Sequence, residues 1–366
     1  MKPEIVFILT STVNTNSIKR IDEFVTRGYK VRAFGFKRDV DVNNKSSKVV
    51  IKVIGNYKNN LSYRKRLSII FSGIRRILKE TRSGNKLYYL IGLDVAMVFR
   101  LQSKRPYVFE EADLVHTGIG NKWVRNTYEK LDKYIILHSV MTAFRSEGFV
   151  KYHFGEEVPD NVCVIPNRLN DSILKFEVQP HHKFNVEHIK IGYVGFIRYF
   201  SIYNFAKVFC SHYPDSEIHF YGTFTNEKAK QQFEKLKQYN NCFFHGSFKS
   251  PDDLNIIYSQ FDLVLSTYDV SSENVRWAEP NKIYEAIYFE TPIIVSSETY
   301  LADKVRKLGI GYDVDAMNEQ SIVGFINRIS KVGIEETVKS IKKINKETVI
   351  NRNDVFFEKL ENMLPQ

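Results

Sequence analysis

Residues Glu279-Pro-Asn-Lys-Ile-Tyr-Glu-Ala-Ile-Tyr-Phe-Glu-Thr-Pro-Ile-Ile-Val-Ser296 predict a loop, a helix, a sharp break and a buried strand. Pro280 suits the first helical position, where its missing N–H is not needed. Thr291-Pro292 ends the helix, and the apolar, β-branched run that follows is typical of a buried strand. A helix that leads directly into a buried strand indicates a parallel α/β sheet.

Two charged side chains lie in the first part of this predicted helix. Helix N-termini attract anions, and Lys282 lies there with Glu285 three residues further on the same face. A cation for phosphate and a carboxylate for a sugar diol would together suit a nucleotide-sugar. The same residues also fit a capped surface helix, so this stretch alone leaves both interpretations open.

The composition is that of a soluble globular protein long enough for two domains. The 366 residues are 43 % hydrophobic and 26 % charged, and 27 Phe and 21 Tyr can fill large cores. The net charge of +11 favours anionic partners, which include nucleic acids, acidic lipid surfaces and phosphorylated substrates. The basic residues are spread along the chain without a recognised nucleic-acid motif, so no nucleic-acid partner is expected.

Several classes of protein are excluded by missing motifs. Cys163, Cys210 and Cys242 are far apart and form no CxxC or zinc-spaced cluster, so we predict free thiols and no metal site. The chain has no P-loop, no GxGxxG and no HExxH, which makes a nicotinamide enzyme an unlikely class. No apolar run approaches the ~20 residues of a membrane span, and the sequence favours a cytoplasmic location.

Strand-like and helical patterns alternate twice along the chain, which predicts an α/β protein of two Rossmann-like domains. We place the first domain at residues 1–170, a polar linker with Pro180-His181-His182 at 171–188, the second domain at 189–348 and a C-terminal helix at 349–366. Ligands of such sheets bind at the carboxyl ends of the strands, so we expect the site in the cleft between the domains.

The second half resembles the nucleotide-binding domain of GT-B glycosyltransferases, specifically family 4. The resemblance is carried by an ordered series of short segments, which are Tyr193-Val-Gly-Phe-Ile-Arg198, Phe220-Tyr-Gly-Thr223, Phe244-His-Gly-Ser-Phe248, Leu263-Val-Leu-Ser266, Pro280-Asn-Lys-Ile-Tyr-Glu-Ala286 and Gly309-Ile-Gly311. The first half resembles the family more loosely.

The resemblance implies a GT-B fold, with two Rossmann-like domains facing across a cleft and the C-terminal helix packing back on the N-terminal domain. It implies a retaining transfer from a nucleotide-sugar, most often a UDP-sugar, to a glycan or lipid-linked acceptor in surface or capsular polysaccharide synthesis, without a cofactor or metal. The residues that it assigns to the donor nucleotide are Gly195, Arg198, Gly222, Lys282, Ile283 and Glu285. Those that it assigns to catalysis are Glu279, Arg198 and Lys282.

One position departs from the family pattern. Most members carry an earlier glutamate where this chain has Trp277, and Glu279 is close but out of step. Some branches that assemble surface polysaccharides lack that glutamate and keep the Pro-x-Lys-x-x-Glu core found here. Glu279 is therefore interpreted either as a contact of the donor sugar or as an electrostatic cap of the helix.

A polar group follows a strand in the first half. It comprises Glu110, Glu111, Asp113 and His116, and three interpretations remain: acceptor binding, a base for the acceptor hydroxyl, or structural hydrogen bonds. Because a retaining enzyme of this family needs no dedicated protein base, we prefer acceptor binding.

Residues 63–82 predict an amphipathic helix with an apolar stripe and many basic residues. Such a helix either lies on an anionic membrane, on the inner face of the cell membrane, or packs into the core with its basic face in water. Two further functions also remain open. One is a nucleotide-sugar 2-epimerase of the same fold, and the other is a non-catalytic binder of nucleotides or nucleic acids.

Overall fold

The computed structural model describes residues 2–38, 47–58, 61–179 and 184–364. The chain divides into two compact units, an N-terminal unit of Met1–Pro166 with Asn353–Gln366 and a C-terminal unit of Asn167–Arg352. Pro180-His181-His182 of the predicted linker lies outside the described residues. The start of that linker, Asp171–Lys175, forms a 3₁₀ helix, and its Ile173 is buried in the core of the C-terminal unit.

The N-terminal unit contains a parallel sheet of seven strands in the order β3-β2-β1-β4-β5-β6-β7. The strands are β1 (Glu4–Leu9), β2 (Val31–Arg38), β3 (Ile51–Tyr57), β4 (Lys86–Ile91), β5 (Tyr107–Glu111), β6 (Met141–Phe144) and β7 (Val162–Val164). The central strands are nearly continuous runs of buried residues, because helices cover both faces of a parallel sheet.

Five helices connect these strands: α1 (Thr15–Thr26), α2 (Tyr63–Glu80), α3 (Leu93–Gln102), α4 (Lys122–Leu137) and α5 (Glu147–Phe154). Helix α2 is the predicted basic amphipathic helix. Its Ile70, Ile74 and Ile77 are buried, so the apolar stripe packs inward. Its exposed residues include Arg75 and Arg76.

The C-terminal unit contains a second parallel sheet in the order β10-β9-β8-β11-β12-β13. Its strands are β8 (Lys190–Val194), β9 (Glu217–Tyr221), β10 (Cys242–Gly246), β11 (Leu263–Ser266), β12 (Ile293–Ser296) and β13 (Gly311–Val314). The order of connection reverses between β8 and β11. Such a reversal opens a crevice at the carboxyl ends of the two strands, where ligands of Rossmann sheets bind.

The helices of the C-terminal unit are α6 (Phe200–His212), α7 (Glu227–Glu234), α8 (Leu254–Ser259), α9 (Glu273–Trp277), α10 (Lys282–Tyr288), α11 (Tyr300–Leu308), α12 (Glu319–Arg328) and α13 (Lys331–Lys342). Within residues 279–296, helix α10 is followed by the buried strand β12. Helix α10 begins at Lys282, two residues later than predicted from Pro280. The α/β class with two parallel sheets is confirmed.

The last helix, α14 (Asp354–Met363), belongs to the N-terminal unit, as predicted. Phe356, Phe357 and Leu360 are buried in the core of that unit. The ring of Phe357 lies 4.8 Å from that of Phe24, edge to face. Across all the described residues, every helix is either too short or too polar to span a membrane.

The packing of α14 can be tested by truncating one buried side chain and, as a control, one exposed side chain on the same helix. Because Phe357 is only 2 % exposed, we expect Phe357→Ala to reduce the free energy of unfolding by about 3–5 kcal/mol. Val355 on the same helix is 72 % exposed, so Val355→Ala should change it by less than about 0.5 kcal/mol. Urea titrations of the two variants measure the difference, and equal effects would show that α14 is not part of the core.

Candidate functional site

The crevice of the C-terminal unit is bordered by two glycine turns. Gly195 follows β8 with φ +134°, and Gly222 follows β9 with φ +147°. A Cβ atom on Gly222 would lie 1.8 Å from the carbonyl oxygen of Gly195, so the two backbones touch where no side chain fits. The amide of Gly222 donates to the Gly246 carbonyl at 2.6 Å, which ties in the end of β10.

Lys282 at the start of α10 places a buried cation beside this crevice. The side chain is 6 % exposed, and its Nζ would lie 3.4 Å from a Cβ atom built on Gly195. Nζ lies 3.9 Å from the centre of the Tyr193 ring and 5.7 Å from that of Tyr268. Aromatic faces stabilise a cation by about 0.5–2 kcal/mol, far less than the cost of burying a bare charge.

Among the described residues, no carboxylate forms a salt bridge with Lys282. A buried ammonium that lies against aromatic rings and a glycine turn, and whose charge acts on the Glu285 carboxylate without a salt bridge, can receive an anion. Arg198 adds a second cation at the same turn. It is exposed, and its guanidinium lies 4.6 Å from the centre of the Tyr199 ring.

Glu285, one turn along α10 from Lys282, is fixed by two donors. The Tyr258 hydroxyl donates to its Oε2 at 2.6 Å, and the Asn281 amide donates to its Oε1 at 3.2 Å. Burial raises the pKa of Glu285, although the hydroxyl of Tyr258 and the charge of Lys282 oppose that shift. Each carboxylate oxygen has a second lone pair, so the group can still accept from a ligand.

Glu279 is also buried, but its carboxylate oxygens already contact side chains of the protein. Lys304 of α11 forms a salt bridge with its Oε2 at 2.7 Å, and the Tyr284 hydroxyl donates to its Oε1. Trp277, which replaces the earlier glutamate of the family pattern, donates from Nε1 to Glu273 at 3.3 Å. Ile283 lies in the apolar core with no exposed side-chain surface.

The structure therefore brings Gly195, Gly222 and Lys282 together around one crevice, with Arg198 at its turn and Glu285 on the same helix as Lys282. The sequence analysis did not single out Tyr193, Tyr268 or Asp269. Asp269 accepts from the backbone amides of Phe200 and Ser201 and so caps α6. Tyr268 lies two residues after β11, a predicted strand that adjoins β8 in the sheet. This position is the sequence feature that could have identified Tyr268.

The predicted acceptor residues of the N-terminal unit are mostly buried. Glu110 accepts from Arg145 Nε at 2.8 Å and from the Tyr89 hydroxyl at 2.6 Å, and it forms an ion pair with Arg20. Burial raises its pKa, but the two arginines outweigh burial and hold the pKa below its usual value.

The other three predicted acceptor residues differ in exposure. Glu111 and His116 are fully buried, whereas Asp113 is exposed. Burial, with Asp132 next in strength, raises the pKa of Glu111 well above its usual value. Acceptor binding by these residues stays a prediction.

The chain is similar to known proteins in sequence and in fold. Residues 197–360 match a protein family described as "Glucosyltransferase 3-like, C-terminal domain". No curated protein sequence matches the chain.

Solved structures with the same fold cover nearly the whole chain. Sucrose-phosphate synthase from Thermosynechococcus elongatus is 14 % identical with a TM-score of 0.71, covering 98 % of this chain and 97 % of that one. Anabaena Alr3699/HepE, solved in complex with UDP and glucose, is 14 % identical with a TM-score of 0.67, covering 98 % and 100 %. A putative UDP-N-acetylglucosamine 2-epimerase from Listeria monocytogenes is 12 % identical with a TM-score of 0.60, covering 96 % and 92 %. The chain thus has the GT-B fold.

The contact between the two glycine turns gives a direct prediction. We expect Gly222→Ala to reduce the free energy of unfolding by more than about 4 kcal/mol, because its Cβ would overlap a backbone oxygen. Gly246 also has a positive φ, of +78°, but a Cβ there meets nothing within 4 Å, so Gly246→Ala should cost only about 1–2 kcal/mol. Urea unfolding of both variants measures the gap, and equal losses would contradict the close contact.

Proposed function

We propose that the protein is a retaining glycosyltransferase that moves a sugar from a nucleotide-sugar, a UDP-sugar, to a glycan or lipid-linked acceptor. The observation that carries the proposal is the buried Lys282 ammonium, held by aromatic rings beside Gly195 at the crevice of a Rossmann sheet. The match to a glucosyltransferase family and the UDP complex of the similar HepE structure support it.

In this proposal the donor diphosphate lies against the Gly195 turn. Lys282 and Arg198 bind its oxygens, and the absence of a side chain at Gly195 lets the backbone approach. The departing group is a nucleoside diphosphate, so negative charge grows on its oxygens as the sugar bond breaks. Fixed cations stabilise this change most in a site that excludes water, and they supply the charge that a metal would otherwise supply.

Glu285 accepts hydrogen bonds from the ribose diol in the same arrangement. Tyr258 and Asn281 hold its carboxylate in one orientation, which reduces the entropy lost when the ribose binds. The contacts of Glu279 with Lys304 and Tyr284 support a positioning role for this residue at the entry to α10.

The acceptor side of the proposal concerns the N-terminal unit. Asp113 is the exposed member of the four predicted acceptor residues. The exposed basic residues of α2 would attract the anionic surface of a membrane that carries a lipid-linked acceptor, since each such charge contributes about 1 kcal/mol near the surface. We assign the enzyme to surface polysaccharide synthesis in the cytoplasm, at the inner face of the membrane.

A nucleotide-sugar 2-epimerase is the second candidate, because a putative enzyme of that class shares the fold at a TM-score of 0.60. Both functions need the nucleotide contacts, so donor binding does not separate them. Incubation of the chain with a UDP-sugar and no acceptor does. Release of an epimerised sugar would identify the epimerase, and transfer that requires an added acceptor would identify the transferase.

The role of Lys282 can be tested by binding. We expect UDP to raise the melting temperature of the full chain by mass action. Lys282→Met keeps an apolar stem over the Tyr193 ring but removes the charge. We expect it to weaken UDP binding by about 1.5–3 kcal/mol, roughly ten- to a hundredfold in dissociation constant.

The matched control is Lys307→Met on the exposed surface of α11, which should bind UDP as the unaltered chain does. Titration calorimetry measures both constants. If neither UDP, GDP nor their sugars change the melting temperature, the protein is not a nucleotide-sugar enzyme. Equal affinities of the Lys282 and Lys307 variants would remove Lys282 from the site.

A further inference from the structure

The N-terminal unit contains its own cluster of ionisable groups. Glu111 at the end of β5, Asp132 in α4 and His153 in α5 each offer a ligand atom, and these atoms all lie within 4.8 Å of one another. The three residues come from separate elements, and all are buried. Sequence spacing could not reveal the cluster, because its members are far apart along the chain.

Each of the three residues has one polar atom in contact with a neighbour and another with none. Glu111 Oε1 lies 3.0 Å from His153 Nε2, and Asp132 Oδ2 lies 3.1 Å from His116 Nδ1. Glu111 Oε2, Asp132 Oδ1 and His153 Nδ1 are buried and have no hydrogen-bond partner. Three such orphan atoms in one place are unusual, since buried polar atoms are nearly always satisfied.

The charges of the cluster are also unbalanced. Among the described residues, the ion-pair partners of Glu111 and Asp132 are histidines, whereas Arg20 and Arg145 are paired with Glu110. Two adjacent carboxylates in a dry site can both be ionised only beside a compensating positive charge. A shared proton could satisfy a single pair of atoms, but a metal cation can bind one atom of each of the three residues at once.

We propose that Glu111, Asp132 and His153 bind a divalent transition-metal ion in the N-terminal unit, with Zn²⁺ as the representative. Two carboxylates with one imidazole suit Zn²⁺, Mn²⁺ or Fe²⁺, whereas Mg²⁺ and Ca²⁺ prefer oxygen ligands alone. Two atoms bound to one tetrahedral Zn²⁺ lie about 3.4 Å apart. The three ligand atoms, which lie within 4.8 Å of one another, must therefore draw together by up to about 1.4 Å when the ion binds.

His116 would support this site through Asp132 without binding the ion itself. Its Nδ1 contacts Asp132, and its Nε2 lies 3.3 Å from the Tyr152 hydroxyl. Carboxylate ligands of metal ions are commonly oriented by hydrogen bonds of this kind. The ion would join β5, α4 and α5, so its role is structural. The inference does not depend on the donor site of the proposed transferase. It gives Glu111 and His116, two of the predicted acceptor residues, a metal-binding and a supporting role instead.

The test uses the full chain, stripped of metal with a chelator and dialysed. We expect equilibrium dialysis with ZnSO₄ and metal analysis to give one tightly bound Zn²⁺ per chain, and the ion to raise the melting temperature by several degrees. MgCl₂ at the same concentration should do neither. Co²⁺ should give visible absorption bands of a low-symmetry, four- or five-coordinate site, a readout that does not depend on activity.

The variant is Asp132→Asn, which keeps the size of the side chain, and its control is Glu129→Gln on the same helix. Glu129 is paired with Lys133 and lies outside the cluster. We expect Asp132→Asn to weaken Zn²⁺ binding at least about tenfold, as loss of a ligand or its support does, and Glu129→Gln to leave it unchanged.

Two results would overturn the proposal. One is a stripped, unaltered chain that binds no stoichiometric Zn²⁺ and melts at the same temperature with and without it. The other is Zn²⁺ binding that Asp132→Asn does not weaken, which would place the ion elsewhere. If Asp132→Asn fails to fold, the stoichiometry and the Co²⁺ spectrum of the unaltered chain decide the question.

Discussion

The contact between the backbones of Gly195 and Gly222 fixes the geometry on which the rest of the C-terminal unit depends. The Gly222 backbone occupies the space against the Gly195 carbonyl, so the carboxyl ends of β8 and β9 are closed to any ligand group between them. The side of Gly195 that faces Lys282 carries no side chain either. The absence of side chains at Gly195 and Gly222 thus shapes the crevice, and the Lys282 ammonium lies beside it.

Buried charged groups among the described residues fall into three classes, according to the partners that they have. These classes separate structural groups from functional ones. Glu110 and Glu279 are paired with arginine or lysine and are satisfied within the fold. Lys282 faces aromatic rings and forms no salt bridge among the described residues, although its charge acts on Glu285. Glu111 and Asp132 share histidine partners and leave atoms unsatisfied. Charges of the last two kinds are costly to bury alone, so a bound partner of opposite charge would stabilise each of them.

The sequence was sufficient for the α/β class and the two parallel sheets, because these follow from local patterns of apolar residues and breaks. The return of the last helix was expected only from the resemblance to GT-B glycosyltransferases. The sequence was sufficient for the glycine turns, since only glycine tolerates that backbone. It could not identify Tyr258 as a partner of Glu285, or Lys304 as the partner of Glu279. Those contacts depend on which helices pack side by side, and periodicity within one element does not encode that.

Glu110, Glu111 and His116 illustrate the same limit of prediction from sequence, here in the N-terminal unit. A polar group at the end of a strand is compatible with a ligand site, but its exposure is decided by α4 and α5, which come later in the chain. His153 illustrates this, because burial lowers its pKa to about 4 and so keeps it neutral, a property absent from its immediate sequence.

The return of α14 to the N-terminal unit has a consequence for the order in which the protein folds. Phe356, Phe357 and Leu360 follow the whole C-terminal unit in the chain, yet they fill the core beside Phe24 and Tyr89. The C-terminal unit is continuous and can fold as soon as it leaves the ribosome. The N-terminal unit, although made first, keeps an open apolar surface until the second has been synthesised, and it is therefore the half that needs protection from aggregation during synthesis.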